Sequence, residues 1–161
     1  MKQKFIDAYM DVAKRFALLS PAKKLQVGAI IVKDDRIVSI GYNGTPAGWD
    51  NDCEYKEYPD KWSGRHEYVD LDYPSKDSNG NYYRLVTKDE VIHAEANAIA
   101  KLAKSNESGD GSMMFLTHSP CIHCAKQIYT AGIRKVFFNE MYRSSEGLDF
   151  LSKCKVEVEQ I

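Results

Sequence analysis

Met113-Met114-Phe115-Leu116-Thr117-His118-Ser119-Pro120-Cys121-Ile122-His123-Cys124-Ala125-Lys126 decides the fold, because the hydrophobic pattern changes period inside it. Residues 113–117 form a short, unbroken apolar run of the kind a buried strand carries. Ser119-Pro120 then offers a helix start, with serine as N-cap and proline just inside. That helix continues through Ala125, Ile128 and Tyr129 to Gly132, and Lys135-Val136-Phe137-Phe138 reads as the next strand. A short helix over 146–153 and a last strand over 156–161 repeat the alternation. Strand, helix and strand in succession imply right-handed crossovers and parallel pairing in this half of the chain.

Working toward the N-terminus, Val91 to Ser105 is an alanine-rich helix whose small side chains permit close packing on a sheet. Val27-Gly28-Ala29-Ile30-Ile31-Val32 and Arg36-Ile37-Val38-Ser39-Ile40-Gly41-Tyr42 are β-rich runs around Lys33-Asp34-Asp35, which makes a hairpin. Phe5, Tyr9, Val12, Phe16 and Leu19 recur at three- and four-residue spacing, an amphipathic helix that Ser20-Pro21 stops. The expected fold is α/β, a three-layer α/β/α sandwich with a five-stranded mixed sheet. Between about residues 49 and 88 the periodicity fails. That stretch is polar and aromatic, with Tyr55, Tyr58, Trp62, Tyr68, Tyr73, Tyr82 and Tyr83, and Asn79-Gly80-Asn81 reads as a turn. It is expected to be an insertion in a single domain over 1–161, either a solvated loop or a surface ordered against another subunit.

Composition narrows the class. The chain has 161 residues, 43% hydrophobic and 28% charged, ordinary for one globular domain. Lys plus Arg is 22 and Asp plus Glu is 23, a formal charge of −1, so no basic excess advertises nucleic acid as a partner. No apolar run approaches the ~18 residues of a membrane span, and Asp7 and Asp11 argue against a signal peptide. Two of the four cysteines stand in a C-x-x-C, which points to metal or redox chemistry in a reducing, cytoplasmic compartment, a host's cytoplasm if the source is viral. Cys53 and Cys154 read as free or packed thiols.

The chemistry sits in two clusters, His93-Ala94-Glu95 and Cys121-Ile122-His123-Cys124, whose leading residues are 28 positions apart. Cysteines three apart share one helix face, and a helix's first turn favours their thiolates. One imidazole and two thiolates form a three-ligand zinc site, one ion per chain, with the fourth position left to a water that ionises near pH ~7. Glu95 is then the proton carrier and not a ligand. Positions two apart on a regular helix diverge by about 200°. For His93 and Glu95 to share a site, His93 must therefore be the first helical residue or lie just before it. A fourth protein ligand, His118 or His123, would instead make the zinc structural and the chain an assembly module. His123 reads as exposed and His66 as a loop histidine.

H-x-E followed by P-C-x-x-C is the spacing of zinc nucleobase deaminases. Residues from about 20 to 140 resemble the cytidine deaminase superfamily, and specifically the deoxycytidylate deaminases of phage and eukaryotic type. The resemblance is carried by Val27–Val32, Gly41-Tyr42-Asn43-Gly44-Thr45-Pro46-Ala47-Gly48, Ile92–Ile99, Ser119–Lys126 and Ala131–Val136. It implies a cytidine deaminase-like fold, hydrolysis of dCMP to dUMP, and supply of dUMP for thymidylate synthesis. It also implies a homohexamer activated by dCTP with Mg2+ and inhibited by dTTP. Carried over residue by residue, His93, Cys121 and Cys124 hold zinc beside Glu95. Asn43, Ser119, Tyr142 and Arg143 meet the substrate, and Tyr42, Gly44 and Gly48 belong to an effector site. Some phage members hold a second zinc in the central insertion; Cys53 and His66 are too few here, so none is expected. The alternative is another cytidine-type deaminase of the superfamily.

Overall fold

Along β1 (Gly28–Lys33), Ala29 and Ile31 face one way and Ile30 and Val32 the other, and all four are fully buried. A strand apolar on both faces needs cover on both. The computed structural model, which describes residues 1–59 and 72–161, shows how that cover is supplied.

Asp34 and Asp35, with φ of 49° and 57°, turn the chain from β1 into β2 (Arg36–Tyr42), a two-residue loop whose positive φ values match strand twist. β1 also pairs antiparallel with β6 (Met113–His118), and β6, β7 (Lys135–Glu140) and β8 (Glu157–Gln160) run parallel. The five-stranded order is β2-β1-β6-β7-β8, the mixed sheet expected.

Helix α1 (Gln3–Ala17) covers one face, packing Ile6, Met10 and Ala13 on Ile30, Val32, Phe115 and Phe137. Among the described residues three helices cover the other: α2 (Ala94–Leu102), α3 (Ile122–Thr130) and α4 (Glu146–Lys153). Their Ala94, Ala98, Leu102, Ala125, Ile128 and Leu151 meet Ala29, Ile31, Met114, Leu116, Val136 and Phe138. The result is the three-layer α/β/α sandwich.

Three expectations are corrected. The buried stripe of α1 is Ile6, Met10, Ala13 and Ala17, while Phe5 and Leu19 are exposed and Tyr9, Val12 and Phe16 are half-buried. The reason is clearance: a Cβ on Gly28 would stand 2.1 Å from the Ala13 carbonyl oxygen, so only small residues fit the centre of that contact. Ser119 is not the N-cap of α3, because strand β7 holds it. Its N–H donates to the Glu140 carbonyl at 2.8 Å and its Oγ accepts the Tyr142 N–H at 2.8 Å, so the helix begins at Ile122 with Cys121 as N-cap.

The third correction concerns residues 49–88, which are not without regular structure. β3 (Glu54–Glu57), β4 (Ser75–Lys76) and β5 (Tyr82–Thr87) form a second, antiparallel sheet in the order β3-β5-β4. Asn79-Gly80-Asn81 turns the chain between β4 and β5, with Gly80 at φ +81° and Asp77 Oδ1 accepting the N–H groups of Asn79 and Asn81 at 2.9 Å each. Trp62, His66 and Tyr68 lie outside the described residues. Among the described residues no helix is long and apolar enough to cross a membrane.

Candidate active site

His93 and Cys121 each occupy the N-cap of a helix, with extended backbone (φ −67°, ψ 154° and φ −69°, ψ 167°) and no side-chain capping bond. That placement resolves the geometry between His93 and Glu95. The imidazole leaves the chain before helical directions are established, and Glu95, the second residue of α2, follows into the same cavity. Cys124 returns to Cys121 from three positions along α3.

His93 Nδ1 lies 3.4 Å from Cys124 Sγ and 3.7 Å from Cys121 Sγ, and the three ligand atoms lie within 4.8 Å of one another. Two ligands of a tetrahedral zinc ion, one sulfur and one nitrogen, stand about 3.5 Å apart, so the group fits zinc. His118 is occupied elsewhere, with Nδ1 3.1 Å from Thr117 Oγ1 and Nε2 3.3 Å from a Glu140 carboxylate oxygen, and His123 is exposed. The described residues therefore gather three ligands and not four.

The electrostatics suit that role at Cys121. The Cys121 thiol is pushed down to about 3, first because Cys124 hydrogen-bonds to its thiolate and next because His93 does. The same hydrogen bond, followed by burial, raises Cys124. The Cys121 partnership also raises His93. Glu95 is 5% exposed, and loss of water around it raises its carboxyl, opposed in part by its own backbone N–H.

Glycines let the ligand-bearing segments close on one another. A Cβ on Gly41 of β2 would stand 2.1 Å from the Ala94 carbonyl oxygen, so β2 can lie against the start of α2 only without a side chain there. Gly147 of α4 stands in the same relation to the peptide that carries Cys121.

His93, Glu95 and Cys121 open into one cavity, whose empty space with the solvent at its mouth is about 630 Å3. Asn43, Ser119, Tyr142 and Arg143 line it too. Two of them also hold its walls. Asn43 Oδ1 accepts the Val27 N–H at 2.8 Å and its Nδ2 donates to the Leu25 carbonyl at 2.9 Å, while Ser119 Oγ anchors Tyr142. The Arg143 guanidinium stacks on the Tyr142 ring at 5.6 Å.

Tyr42, Gly44 and Gly48 do not line the cavity. The Tyr42 ring lies under Lys101 Nζ at 5.3 Å, and Gly44 exchanges two backbone hydrogen bonds with Ile92, 3.1 and 2.9 Å, directly before His93. Gly48, at φ +91°, is the positive-φ glycine of that loop; Gly44 is not. Lys24, Glu54 and Thr87 also face the cavity without any sequence motif marking them, and so does His118, weighed above as a fourth metal ligand.

Comparison with known proteins agrees with this geometry. Residues 3–140 match the family model described as the cytidine and deoxycytidylate deaminase zinc-binding region. The deoxycytidylate deaminase of Enterobacteria phage T4 is 37% identical over 150 residues, 83% of this chain and 77% of the phage protein. The mouse deoxycytidylate deaminase is 35% identical over 140 residues, 86% of this chain and 66% of that protein. The crystal structure of the dCMP deaminase from the cyanophage S-TIM5, in complex with dCMP and dUMP, superposes with a TM-score of 0.80 at 40% identity, covering 100% of this chain and 99% of that one.

Proposed function

The chain belongs to the cytidine and deoxycytidylate deaminase family, and from that premise we propose that it hydrolyses dCMP to dUMP and ammonia. One observation carries the choice of a nucleotide over a nucleoside. The cavity lined by His93, Glu95 and Cys121 is also lined by Lys24 and Arg143, and neither cation pairs with a carboxylate among the described residues. The cytosine ring belongs at Glu95 and the phosphate dianion at the cations.

His93, Cys121 and Cys124 would hold a zinc ion, which would supply the Lewis acidity that makes water a competent nucleophile near neutral pH. Glu95 takes the proton of the attacking water and delivers it to N3 of the ring. It then passes the second proton to the departing amine, so that the water oxygen becomes the C4 carbonyl and ammonia leaves. Burial raises the Glu95 carboxyl, which lets it hold a proton between those transfers. Ammonia and dUMP formation from dCMP, measured beside deoxycytidine, tests the reading. Equal kcat/KM on both substrates would leave a cytidine-type deaminase without a phosphate requirement.

The same reading extends to the whole protein. Residues 1–161 act as one deaminase domain with 49–88 as an insertion, in a reducing cytoplasm, supplying dUMP for thymidylate synthesis. The assembly is a homohexamer, activated by dCTP with Mg2+ and inhibited by dTTP. The Gly41–Gly48 block supports the regulatory part, since its Gly44 is fastened to Ile92, the neighbour of His93. Magnesium and turn amides would meet the triphosphate's charge in a chain of net charge −1. Sedimentation tests the hexamer. In kinetics, dCTP with Mg2+ should lower the half-saturating dCMP concentration and dTTP should oppose it, while dCMP tightens dCTP binding by the same factor. Gly48→Val should weaken that coupling with zinc content intact, because the turn needs positive φ.

A further inference from the structure

The connector between α1 and β1 forms one wall of the cavity, through Lys24, Leu25 and Val27, yet contains no helix or strand. Its backbone polar groups must find partners elsewhere, and side chains provide them. Ser20 Oγ accepts the Ala22 N–H at 3.2 Å, Gln26 Nε2 donates to the Ser20 carbonyl at 2.7 Å, and Asn43 holds Leu25 and Val27. The amides of Lys23 and Lys24 go to Glu54. Its Oε1 accepts both at 3.1 Å and its Oε2 accepts Lys23 at 3.3 Å.

Glu54 is the first residue of β3, is 4% exposed, and pairs with Thr87 of β5. Strand β5 makes a second hold on the connector, since Lys24 Nζ donates to the Leu85 carbonyl at 2.9 Å. The small sheet thus grips this wall at a backbone position and at the lysine head.

We propose that Glu54 is a positioning residue for the substrate phosphate, fixing the Lys23–Lys24 amides so that Lys24 is presented to the anion alongside Arg143. This rests on the dCMP reading given above. It makes the small sheet part of the selectivity for a nucleotide. Glu54 is itself an anion in a pocket for an anion, so acting through space alone it would oppose phosphate binding. Its carboxylate is committed to two amides instead, and the two roles have opposite signs.

Steady-state kinetics of the zinc-loaded enzyme on dCMP and deoxycytidine, with calorimetry of dUMP binding, separates them. Glu54→Ala should raise KM for dCMP and Kd for dUMP about tenfold, the scale of one charge-assisted hydrogen bond. Its kcat and its deoxycytidine kinetics should stay near wild type. Glu54→Gln, which keeps an acceptor, should recover most of the loss. Lys24→Met should raise KM similarly, and Glu54→Ala added to it should do nothing further. If Glu54→Ala does not fold, Glu54→Asp decides, because it keeps the charge and shortens the reach: KM for dCMP should rise. An unchanged or lowered KM, or additive effects of Glu54 and Lys24, overturns the proposal. Failure of the wild-type protein to deaminate dCMP would defeat the functional reading instead, and dUMP affinity would still report on Glu54.

Discussion

Gly147 lies directly on Pro120: a Cβ there would stand 2.0 Å from the Pro120 carbonyl oxygen and 3.0 Å from that of Cys121. Backbone cannot retreat as a flexible side chain could, so Gly147→Ala must push α4 away from the ligand peptide. The expected cost is about 1–3 kcal/mol of stability. Zinc should also leave faster during dialysis against a chelator, because Cys121 moves with its peptide. A variant that melts lower yet keeps zinc as well as wild type would show that the contact serves the fold alone.

Metal binding and proton transfer should separate cleanly by residue. Glu95→Gln is expected to retain one zinc per chain while activity falls at least about 10²–10⁴-fold, the usual contribution of a general acid–base group. Cys121→Ser and Cys124→Ser should lose the metal. Elemental analysis of the purified variants reads this directly, and zinc lost from Glu95→Gln would contradict the division of roles.

Arg143 is exposed, stacked on Tyr142, and faces the cavity. Arg143→Ala should therefore raise KM for dCMP, by about tenfold or more, while leaving deoxycytidine turnover nearly unchanged. Equal losses on both substrates would assign Arg143 to holding Tyr142 in place.

Lys24 yields a pH prediction. Partial burial, followed by repulsion from Arg143 and Arg84, lowers its ammonium below an ordinary lysine, against the opposing pull of Glu54 and Glu57. A lowered lysine loses its charge earlier as pH rises. KM for dCMP should therefore climb on the alkaline side before pH reaches the ~10.4 of a free lysine. The phosphate is already a dianion there, so its own ionisation does not contribute. Lys24→Arg, charged throughout, should flatten the climb. The same rise in that variant would place the titration on another group.

The sheet and its helices followed from hydrophobic period, and the short helix over 146–153 and the strands near 113 and 135 lie where the pattern put them. The offset in α1 arose because both flanks of that helix are apolar, and the choice between them depends on Gly28, which no periodicity reveals. His93, Glu95, Cys121 and Cys124 were readable because their chemistry is encoded in short local spacing. Glu54 was not, being brought to Lys24 across 30 positions by a sheet whose strands are too short and too polar to alternate. Asn43 was assigned to the substrate by resemblance, but the structure also gives it two backbone partners, a role visible only once the connector is placed.

Both helices that frame the site begin on a residue that withholds its side chain from their free amides. An ordinary serine or aspartate in that position is worth about 1 kcal/mol to a helix. The first turns of α2 and α3 go without that contribution, and an ion tying His93 to Cys121 would fasten two helices with one knot. Amide hydrogen exchange should register this as slowing at residues 94–97 and 122–125 upon zinc loading, with little change in the strands behind them. Catalytic competence and the last increment of folding would then arrive together, so that an unloaded chain is both inactive and the more easily degraded form.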